Sequence, residues 1–216
     1  MPVIALVPVK RLAEAKTRLA SALEPTARRT LMRGLVEHVL SQLAQVPELD
    51  GVHVVTSDAE VVALAQRCGV GSLSDAGLPW NEGLVHALAQ LQPAPVAVAF
   101  VSADLPLLRA RDVSTMLAAA PSQGAAIARA RDGGTNALAL RPPDVLVPSF
   151  GAVGSAAVHA ERARAGGHEA RIVDVPGLAL DLDTPDDARV CLEGHAGGEP
   201  VELLRRLWVA RPPGVN

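Results

Sequence analysis

The sequence predicts an α/β fold, in which helices cover both faces of a mostly parallel sheet to give three layers. Short apolar runs alternate along the chain with longer segments whose apolar residues recur at helical spacing, a pattern typical of βα units. The run at 95–101, Pro-Val-Ala-Val-Ala-Phe-Val, has no polar residue and indicates a strand buried on both faces. A length of 216 residues suits one such domain.

The composition limits where the protein works and what it binds. Hydrophobic residues make up 49% of the chain, enough for a core without disulfides. Cys68 and Cys191 are far apart and form no CxxC motif, so we expect a reduced, cytoplasmic protein. Aromatic residues make up only 2% and the net charge is −3, which disfavours nucleic acid and anionic membranes as partners. We expect no signal peptide, because no basic region precedes the first apolar run, and no membrane span, because no apolar stretch is long enough.

The first predicted strand, at 3–9, leads into a basic segment. Residues 1–33 contain seven basic side chains against two acidic ones, a local charge near +5 in a chain that is acidic overall. The basic residues are Lys10, Arg11, Lys16, Arg18, Arg28, Arg29 and Arg33. A cationic loop after the first strand favours a phosphate-rich ligand, held by Lys10, Lys16 and Arg18. The alternative, a solvated helix face, suits the last three basic residues but not the two lysines, which precede the helix.

The elements that follow continue the alternation. In order, the pattern predicts a helix at 25–45, a strand at 52–56, a helix begun by Asp58 and ending at Cys68, a strand at 70–73, a helix entered near Asn81, the strand at 95–101 and a helix at 112–120. An asparagine at a helix start is most often an N-cap, and a ligand contact is the alternative for Asn81.

Asp104 is the acid that ends the apolar strand at 95–101. Pro106 cannot donate a hydrogen bond to a neighbouring strand, so the chain has to leave the sheet there. Ligands of open α/β sheets bind at the carboxyl ends of the strands, and a carboxylate in that position suits a metal ion. The alternative is an aspartate that only caps the next turn.

Two further strands, at 124–130 and 136–140, are joined by the tight-turn sequence Arg-Asp-Gly-Gly-Thr. Its glycine pair leaves backbone N–H groups able to approach an anion. Gly154 and Ser155 then open a helix, which predicts either a second anion site or an ordinary serine N-cap. His159 shares the helix face of Ser155, either as a ligand or as a surface or packing residue.

The last predicted strands, at 171–175 and 178–182, or one bent strand, end at a group of acids. Capping of the next helix accounts for Thr184 and the residues after it, but it leaves Asp183 unexplained. Asp181 would point the same way as Asp183, because residues two apart share a strand face. Both are therefore candidate metal ligands.

Four features would meet at the carboxyl edge of the sheet: the cationic loop, Asp104, the Gly-Gly turn and the Asp181/Asp183 pair. Acids from two segments can hold one Mg²⁺, which completes its coordination with phosphate oxygens. A cationic loop beside them suits displacement at the α-phosphate of a nucleoside triphosphate, with pyrophosphate leaving. An attacking phosphate is already anionic at neutral pH, so this chemistry requires no general base.

Five segments carry a family resemblance. They are Val-Pro-Val-Lys-Arg-Leu-Ala-Glu-Ala-Lys-Thr-Arg-Leu at 7–19, Ser-Ala-Asp-Leu-Pro-Leu-Leu at 102–108, Asp-Gly-Gly-Thr-Asn-Ala-Leu at 132–138, Phe-Gly at 150–151 and Leu-Asp-Leu-Asp-Thr-Pro-Asp-Asp at 180–187. In this order they resemble motifs of the 2-phospho-L-lactate guanylyltransferase family. The likeness covers about residues 3–192, and its specific parts are the first and third segments.

The resemblance implies a single-domain, nucleotide-diphospho-sugar-transferase-like (Rossmann-like) fold. It implies transfer of GMP from GTP to 2-phospho-L-lactate, phosphoenolpyruvate or 3-phospho-D-glycerate, in assembly of coenzyme F-420. It also implies site roles. Asp104 and Asp183 would bind Mg²⁺, with Asp181 as a third candidate, and Lys16, Asp104 and Asp183 would be the catalytic residues. Lys10, Lys16 and Arg18 would bind the triphosphate of GTP, and Asn81 would also contact GTP. The phosphoacid would bind to Thr135, Gly151 and Ser155, with His159 as a further candidate.

The chain departs from the family pattern at two places. One is Trp-Asn at 80–81, near the base pocket that the resemblance implies, where the family tends to have Leu-Asn. The other is the spacing of a glycine and a serine. The family spaces its glycine and serine three residues apart, whereas Phe-Gly-Ala-Val-Gly-Ser at 150–155 is one residue longer. Gly151 and Gly154 are therefore alternatives for the same substrate contact. Two other functions stay open: a cytidylyl- or guanylyltransferase acting on a sugar or molybdopterin, and a nucleotide-sensing domain without turnover. The first of these typically opens with a glycine-rich loop, and residues 10–18 contain no glycine.

The domain organisation follows from where the motifs end. We assign residues 1–195 to the nucleotidyltransferase domain and residues 196–216 to a C-terminal tail. The tail contains a short amphipathic piece that includes Leu204 and Trp208. We expect this piece to pack on the domain or on a second copy of the chain, so a homodimer is one expectation.

Overall fold

A seven-stranded sheet forms the middle of the computed structural model, which describes residues 2–194 and 198–209. Its strands are β1 (Val3–Pro8), β2 (Gly51–Val55), β3 (Gly71–Leu73), β4 (Ala97–Val101), β5 (Gly124–Arg129), β6 (Thr135–Arg141) and β7 (Glu169–Val173). Their order across the sheet is β3-β2-β1-β4-β6-β5-β7. β6 runs antiparallel to both neighbours and all other pairs are parallel, so the predicted mostly parallel sheet is confirmed.

Helices cover both faces of this sheet. They are α1 (Pro25–Leu43), α2 (Ala59–Arg67), α3 (Trp80–Ala89), α4 (Ala110–Ala119), α5 (Ser155–Ala165), α6 (Pro176–Ala179), α7 (Pro185–Glu193) and α8 (Glu199–Val209). Side chains of α1, α2 and α4 pack on one face, and those of α3 and α5 on the other. Alternate residues of β4 supply both cores: Val98 and Phe100 face α3 and α5, and Ala99 faces the opposite helices. The three predicted layers are confirmed.

The segment at 178–182 is not a strand, so that prediction is wrong. Pro176–Ala179 forms the one-turn helix α6, and residues 180–183 have no regular secondary structure. The three leucines of the segment alternate and are buried, as they would be in a strand. The segment cannot pair with β4, however, because β1 and β6 occupy the two edges of β4. The segment therefore crosses the end of the sheet, where the N–H of Leu182 donates to the carbonyl of Asp104 at 3.0 Å.

The described part of the predicted tail is helix α8. It packs against α1 and α7 and buries Val201 and Leu204. Residues 195–197 and 210–216, which belong to the predicted domain end and tail, lie outside the described residues. The domain boundary and the homodimer stay predictions. Within the described ranges, no helix is both long enough and apolar enough to cross a membrane.

Candidate active site

Three carboxylates come together at the end of the sheet where β1 and β4 finish. One oxygen from each of Asp104, Asp181 and Asp183 lies within 4.8 Å of the other two. Asp104 follows β4, and the other two belong to the segment that crosses its end. We expected Asp181 and Asp183 to converge because they would share a strand face. The structure brings them together without that strand.

Lys16 occupies the space between two of these carboxylates. Its Nζ lies 2.5 Å from Asp104 Oδ2 and 2.7 Å from Asp183 Oδ1, and its side chain is only 4% exposed. Burial opposes the positive charge, but the charges of Asp104 and Asp183 together outweigh it, so the pKa of Lys16 is raised. In the described part of the chain Asp104 accepts a side-chain hydrogen bond only from Lys16, so the turn-capping alternative for Asp104 is wrong.

Asp181 is held from its other side by Asn136. The Nδ2 of Asn136 donates to Asp181 Oδ1 at 3.2 Å and to the carbonyl of Leu178 at 2.9 Å. Burial, and then the charge of Asp104, raise the pKa of Asp181 to about 6. Sequence reasoning did not single out Asn136. The available signal was a buried amide near the start of an otherwise apolar strand.

The donor set formed by the three carboxylates suits Mg²⁺, a hard cation that takes oxygen ligands. Three carboxylates carry more negative charge than the single ammonium of Lys16 offsets. A divalent cation between them would remove this excess. The residues present therefore fit the metal that the sequence predicts for this position.

The other two predicted phosphate-binding residues have partners of their own. Lys10 Nζ donates to Asp75 Oδ2 and to the carbonyl of Leu78, both at 3.0 Å, and lies 5.9 Å from the centre of the Trp80 ring. Arg18 is exposed, and its Nη1 is 4.0 Å from an oxygen of Asp183. Arg18 therefore shares Asp183 with Lys16, whereas Lys10 pairs with Asp75.

Two cavities open beside the carboxylates. The first, of about 270 Å³, has a lining that includes Lys10, Lys16, Trp80 and Asp104. The second, of about 470 Å³, has a lining that includes Arg18, Arg131, Asp181 and Asp183. Trp80 and Arg131 are lining residues to which sequence reasoning assigned no role. The three cations and the three acids thus surround two adjoining spaces.

A buried polar cluster lies beside the turn between β5 and β6. Thr135 Oγ1 is 3.0 Å from His159 Nδ1 and 3.1 Å from Ser155 Oγ. The backbone N–H of Ser149 donates to His159 Nε2 at 2.8 Å. His159 is fully buried, so it is not a surface histidine. Ser155 is not the N-cap of α5, because Gly154 holds that position.

The two glycine-rich segments use their backbone amides differently. The N–H groups of Gly133 and Gly134 donate to the carbonyl of Ala130 and to Asp132 Oδ1, at 3.0 and 2.8 Å, so the predicted anion-binding amides of this turn are already paired. Gly151 and Gly154 have φ angles of 86° and 70°. Among the residues that the structure describes, none accepts a hydrogen bond from either of their N–H groups. The amides left for an anion are therefore in the later loop.

Asn81 holds that later loop in place. Its Nδ2 donates to the carbonyl of Phe150 at 3.2 Å, and the N–H of Phe150 donates to its Oδ1 at 2.8 Å. Helix α3 begins at Trp80 with Pro79 as its N-cap, so the N-cap alternative for Asn81 is wrong. In this structure Asn81 positions the loop that carries Gly151.

His159 makes folding stability depend on pH. Burial, and then the charge of Arg162, lower the pKa of His159 from 6.5 to about 4. Between pH 6.5 and about 4, His159 is protonated in the unfolded chain but stays neutral in the folded chain. Its contribution to stability is therefore complete above pH 6.5 and is lost as the pH falls to about 4. We expect the free energy of unfolding to fall by about 3 kcal/mol more in the native protein than in His159→Gln between pH 7 and 4. Urea titrations at both pH values measure this, and equal falls would contradict it.

Comparison with known proteins places the chain in a family. Residues 3–212 match the family described as "Guanylyl transferase CofC like". A phosphoenolpyruvate guanylyltransferase of Sphaerobacter thermophilus is 45% identical over 203 residues, which cover 93% of this chain and 96% of that protein. A 2-phospho-L-lactate guanylyltransferase of Methanothermobacter thermautotrophicus is 34% identical, with coverages of 96% and 92%. A 3-phospho-D-glycerate guanylyltransferase of Phenylobacterium zucineum is 35% identical, with coverages of 89% and 91%.

A solved structure shows the same fold. It belongs to a proposed nucleotide-diphospho-sugar transferase of Desulfovibrio desulfuricans G20 and superposes with a TM-score of 0.79, at 22% identity over 94% of each chain. The predicted nucleotide-diphospho-sugar-transferase-like fold is confirmed, and the family match confirms the resemblance that the sequence motifs carry. The chain is a nucleotidyltransferase and belongs to the CofC-like family of guanylyl transferases.

Proposed function

We propose that this protein transfers GMP from GTP to a three-carbon phosphoacid and releases pyrophosphate, in the biosynthesis of coenzyme F-420. The observation that carries the proposal is Lys16 seated between Asp104 and Asp183. The buried pair of hydroxyls from Thr135 and Ser155 lies at the same end of the sheet as these carboxylates. Thr135 is next to Asn136, whose side chain donates to Asp181. The site therefore offers acids and cations for a metal–nucleotide complex next to neutral donors for a second anion.

On the nucleotide side, cationic side chains bind the triphosphate. Lys10 and Lys16 approach it from the first cavity and Arg18 from the second. Asp104 and Asp183, with Asp181 beside them, would hold Mg²⁺, which when bound neutralises negative charge on the reacting phosphates. Lys16 adds a positive charge in a buried position, where it acts more strongly than in water.

On the acceptor side, uncharged donors bind the phosphoacid. They are the hydroxyls of Thr135 and Ser155 and the N–H groups of Gly151 and Gly154, for which the described part of the chain provides no acceptor. An oxygen of the acceptor phosphate forms a bond to the α-phosphorus of GTP, and the bond from that phosphorus to the bridging oxygen breaks. The electron pair leaves with pyrophosphate. The attacking oxygen is already anionic, so the chain only has to align the two substrates.

We further propose that the enzyme works in the cytoplasm on these small molecules, without nucleic acid or membrane as a partner. The formal net charge of −3 supports the absence of these two partners, because it provides no general attraction to nucleic acid or to an anionic membrane. Helix α8 packs against α1 and α7 of its own chain. The proposed homodimer therefore does not depend on this helix for its support.

A panel of acceptors tests the proposed reaction. We expect the purified protein with GTP and Mg²⁺ to release pyrophosphate with at least one of phosphoenolpyruvate, 2-phospho-L-lactate and 3-phospho-D-glycerate. Phosphoenolpyruvate is expected to react fastest, because the relative that is 45% identical is a phosphoenolpyruvate guanylyltransferase. CTP in place of GTP is the control for the nucleotide. No release with any of the three acids, or equal release with CTP, would contradict the proposal.

A further inference from the structure

His159 lies at the centre of the buried polar cluster and is itself fully enclosed. Its ring stands edge-on to Phe150, with ring centres 5.2 Å apart. Both ring nitrogens are already engaged, Nδ1 by Thr135 and Nε2 by Ser149. A residue in this position acts on the reaction only through its neighbours.

The contact with Ser149 decides which ring nitrogen carries the hydrogen. A backbone N–H can only donate, so Nε2, 2.8 Å from the nitrogen of Ser149, has to offer its lone pair. The neutral ring then carries its hydrogen on Nδ1, and this N–H donates to Thr135 Oγ1 at 3.0 Å. The lowered pKa of His159, about 4, agrees with a neutral ring at pH 7.

This arrangement leaves the Thr135–Ser155 pair with one unused hydrogen. The pair has two hydroxyl hydrogens, and one of them lies in the 3.1 Å hydrogen bond between the two oxygens. No acceptor among residues 2–194 and 198–209 takes the other. It cannot turn toward His159, because the Nδ1–H group faces the pair as a donor. It therefore points away from the ring.

We propose that His159 is a positioning residue that directs this hydroxyl hydrogen toward the anionic group of the phosphoacid. The inference rests on the proposed function, which places the acceptor against Thr135 and Ser155. A donor fixed in its outward direction binds an anion without reorganisation. With the ring hydrogen on Nε2 instead, Nδ1 would accept from Thr135 and the pair would lose its outward donor.

Two substitutions separate this role from simple packing. Glutamine at position 159 places its amide where Nε2 lies, so it can contact Ser149 but cannot donate to Thr135. Asparagine places its amide where Nδ1 lies, so it keeps a donor toward Thr135. We expect His159→Gln to raise the KM for phosphoenolpyruvate about tenfold with the KM for GTP unchanged, and His159→Asn to stay within about threefold of the native value. Equal effects of the two variants, or an equal rise in the KM for GTP, would overturn the proposal.

Nitrogen-15 NMR of the histidine-labelled protein tests the ring hydrogen directly and needs no substrate. The protein has six histidines, and the signals lost in either variant belong to His159. We expect a neutral ring with its hydrogen on Nδ1 at pH 7. A hydrogen on Nε2, or a charged ring, would overturn the inference even in an active enzyme. An Nδ1 hydrogen in a protein that is inactive with every phosphoacid would instead refute the proposed function.

Discussion

We expect Asp104→Asn to lower kcat with GTP, Mg²⁺ and phosphoenolpyruvate by about a thousandfold or more while the protein keeps its fold. One oxygen of Asp104 lies within 4.8 Å of an oxygen of Asp181 and of an oxygen of Asp183. Asparagine has the same shape but is neutral, so a divalent cation would lose a negatively charged ligand. Lys16 would lose one of its two anionic partners as well. Pyrophosphate release at saturating substrates measures the change.

Asp174→Asn is the matched control for this experiment. Its carboxylate is 70% exposed and pairs with Arg129 on the surface, so we expect kcat within about twofold of the native value. Circular dichroism and urea unfolding of both variants show whether the fold is retained. Full activity of a folded Asp104→Asn protein would remove Asp104 from the proposed metal site.

The second large effect is expected from Lys16→Met, which removes the buried cation between the carboxylates. Without Mg²⁺ we expect a loss of about 3 kcal/mol in the free energy of unfolding, because two acids lose their buried partner. Added Mg²⁺ should stabilise this variant more than it stabilises the native protein. In the native protein the ion has to compete with Lys16 for Asp104 and Asp183, and in the variant it does not. Turnover should stay at least about a hundredfold low, because the triphosphate loses a cation.

Urea titrations of both proteins, with and without Mg²⁺, measure this exchange. Arg33→Met is the control, since Arg33 is half exposed and, within the residues that the structure describes, pairs only with Glu37 one helical turn away. We expect it to change stability by at most about 0.5 kcal/mol at either Mg²⁺ concentration. A Lys16→Met protein as stable as the native one without Mg²⁺ would show that the Lys16 contacts contribute nothing. Equal stabilisation of both by Mg²⁺ would exclude competition for the same carboxylates.

Part of the site could be predicted because it depends on strand chemistry. The run at 95–101 is apolar at each position, and only a strand covered on both faces buries such a run. The acid that follows therefore has to lie at the end of the sheet, which is where Asp104 is found. The caps at Asp58 and Thr184 were predictable for a similar reason, because each side chain accepts from an amide two or three residues ahead.

Other predictions failed where distant segments compete for the same groups. The alternating leucines at 178–182 suit a strand, but both edges of β4 are occupied by β1 and β6. Asn81 has the local chemistry of an N-cap, yet its amide pairs with the backbone of Phe150. The amides of the Gly133–Gly134 turn failed as an anion site for a local reason instead, because oxygens of the same turn already accept from them.

The sequence by itself determined the fold class, the family and the set of polar residues available at the sheet end, because periodicity and motifs are local properties of the chain. Only the tertiary structure decided how those residues pair. It placed Lys16 between Asp104 and Asp183, paired Lys10 with Asp75, and oriented His159 through Ser149. Such pairings join residues far apart in the chain, and burial makes each donor and charge take whichever partner the packed fold brings within reach.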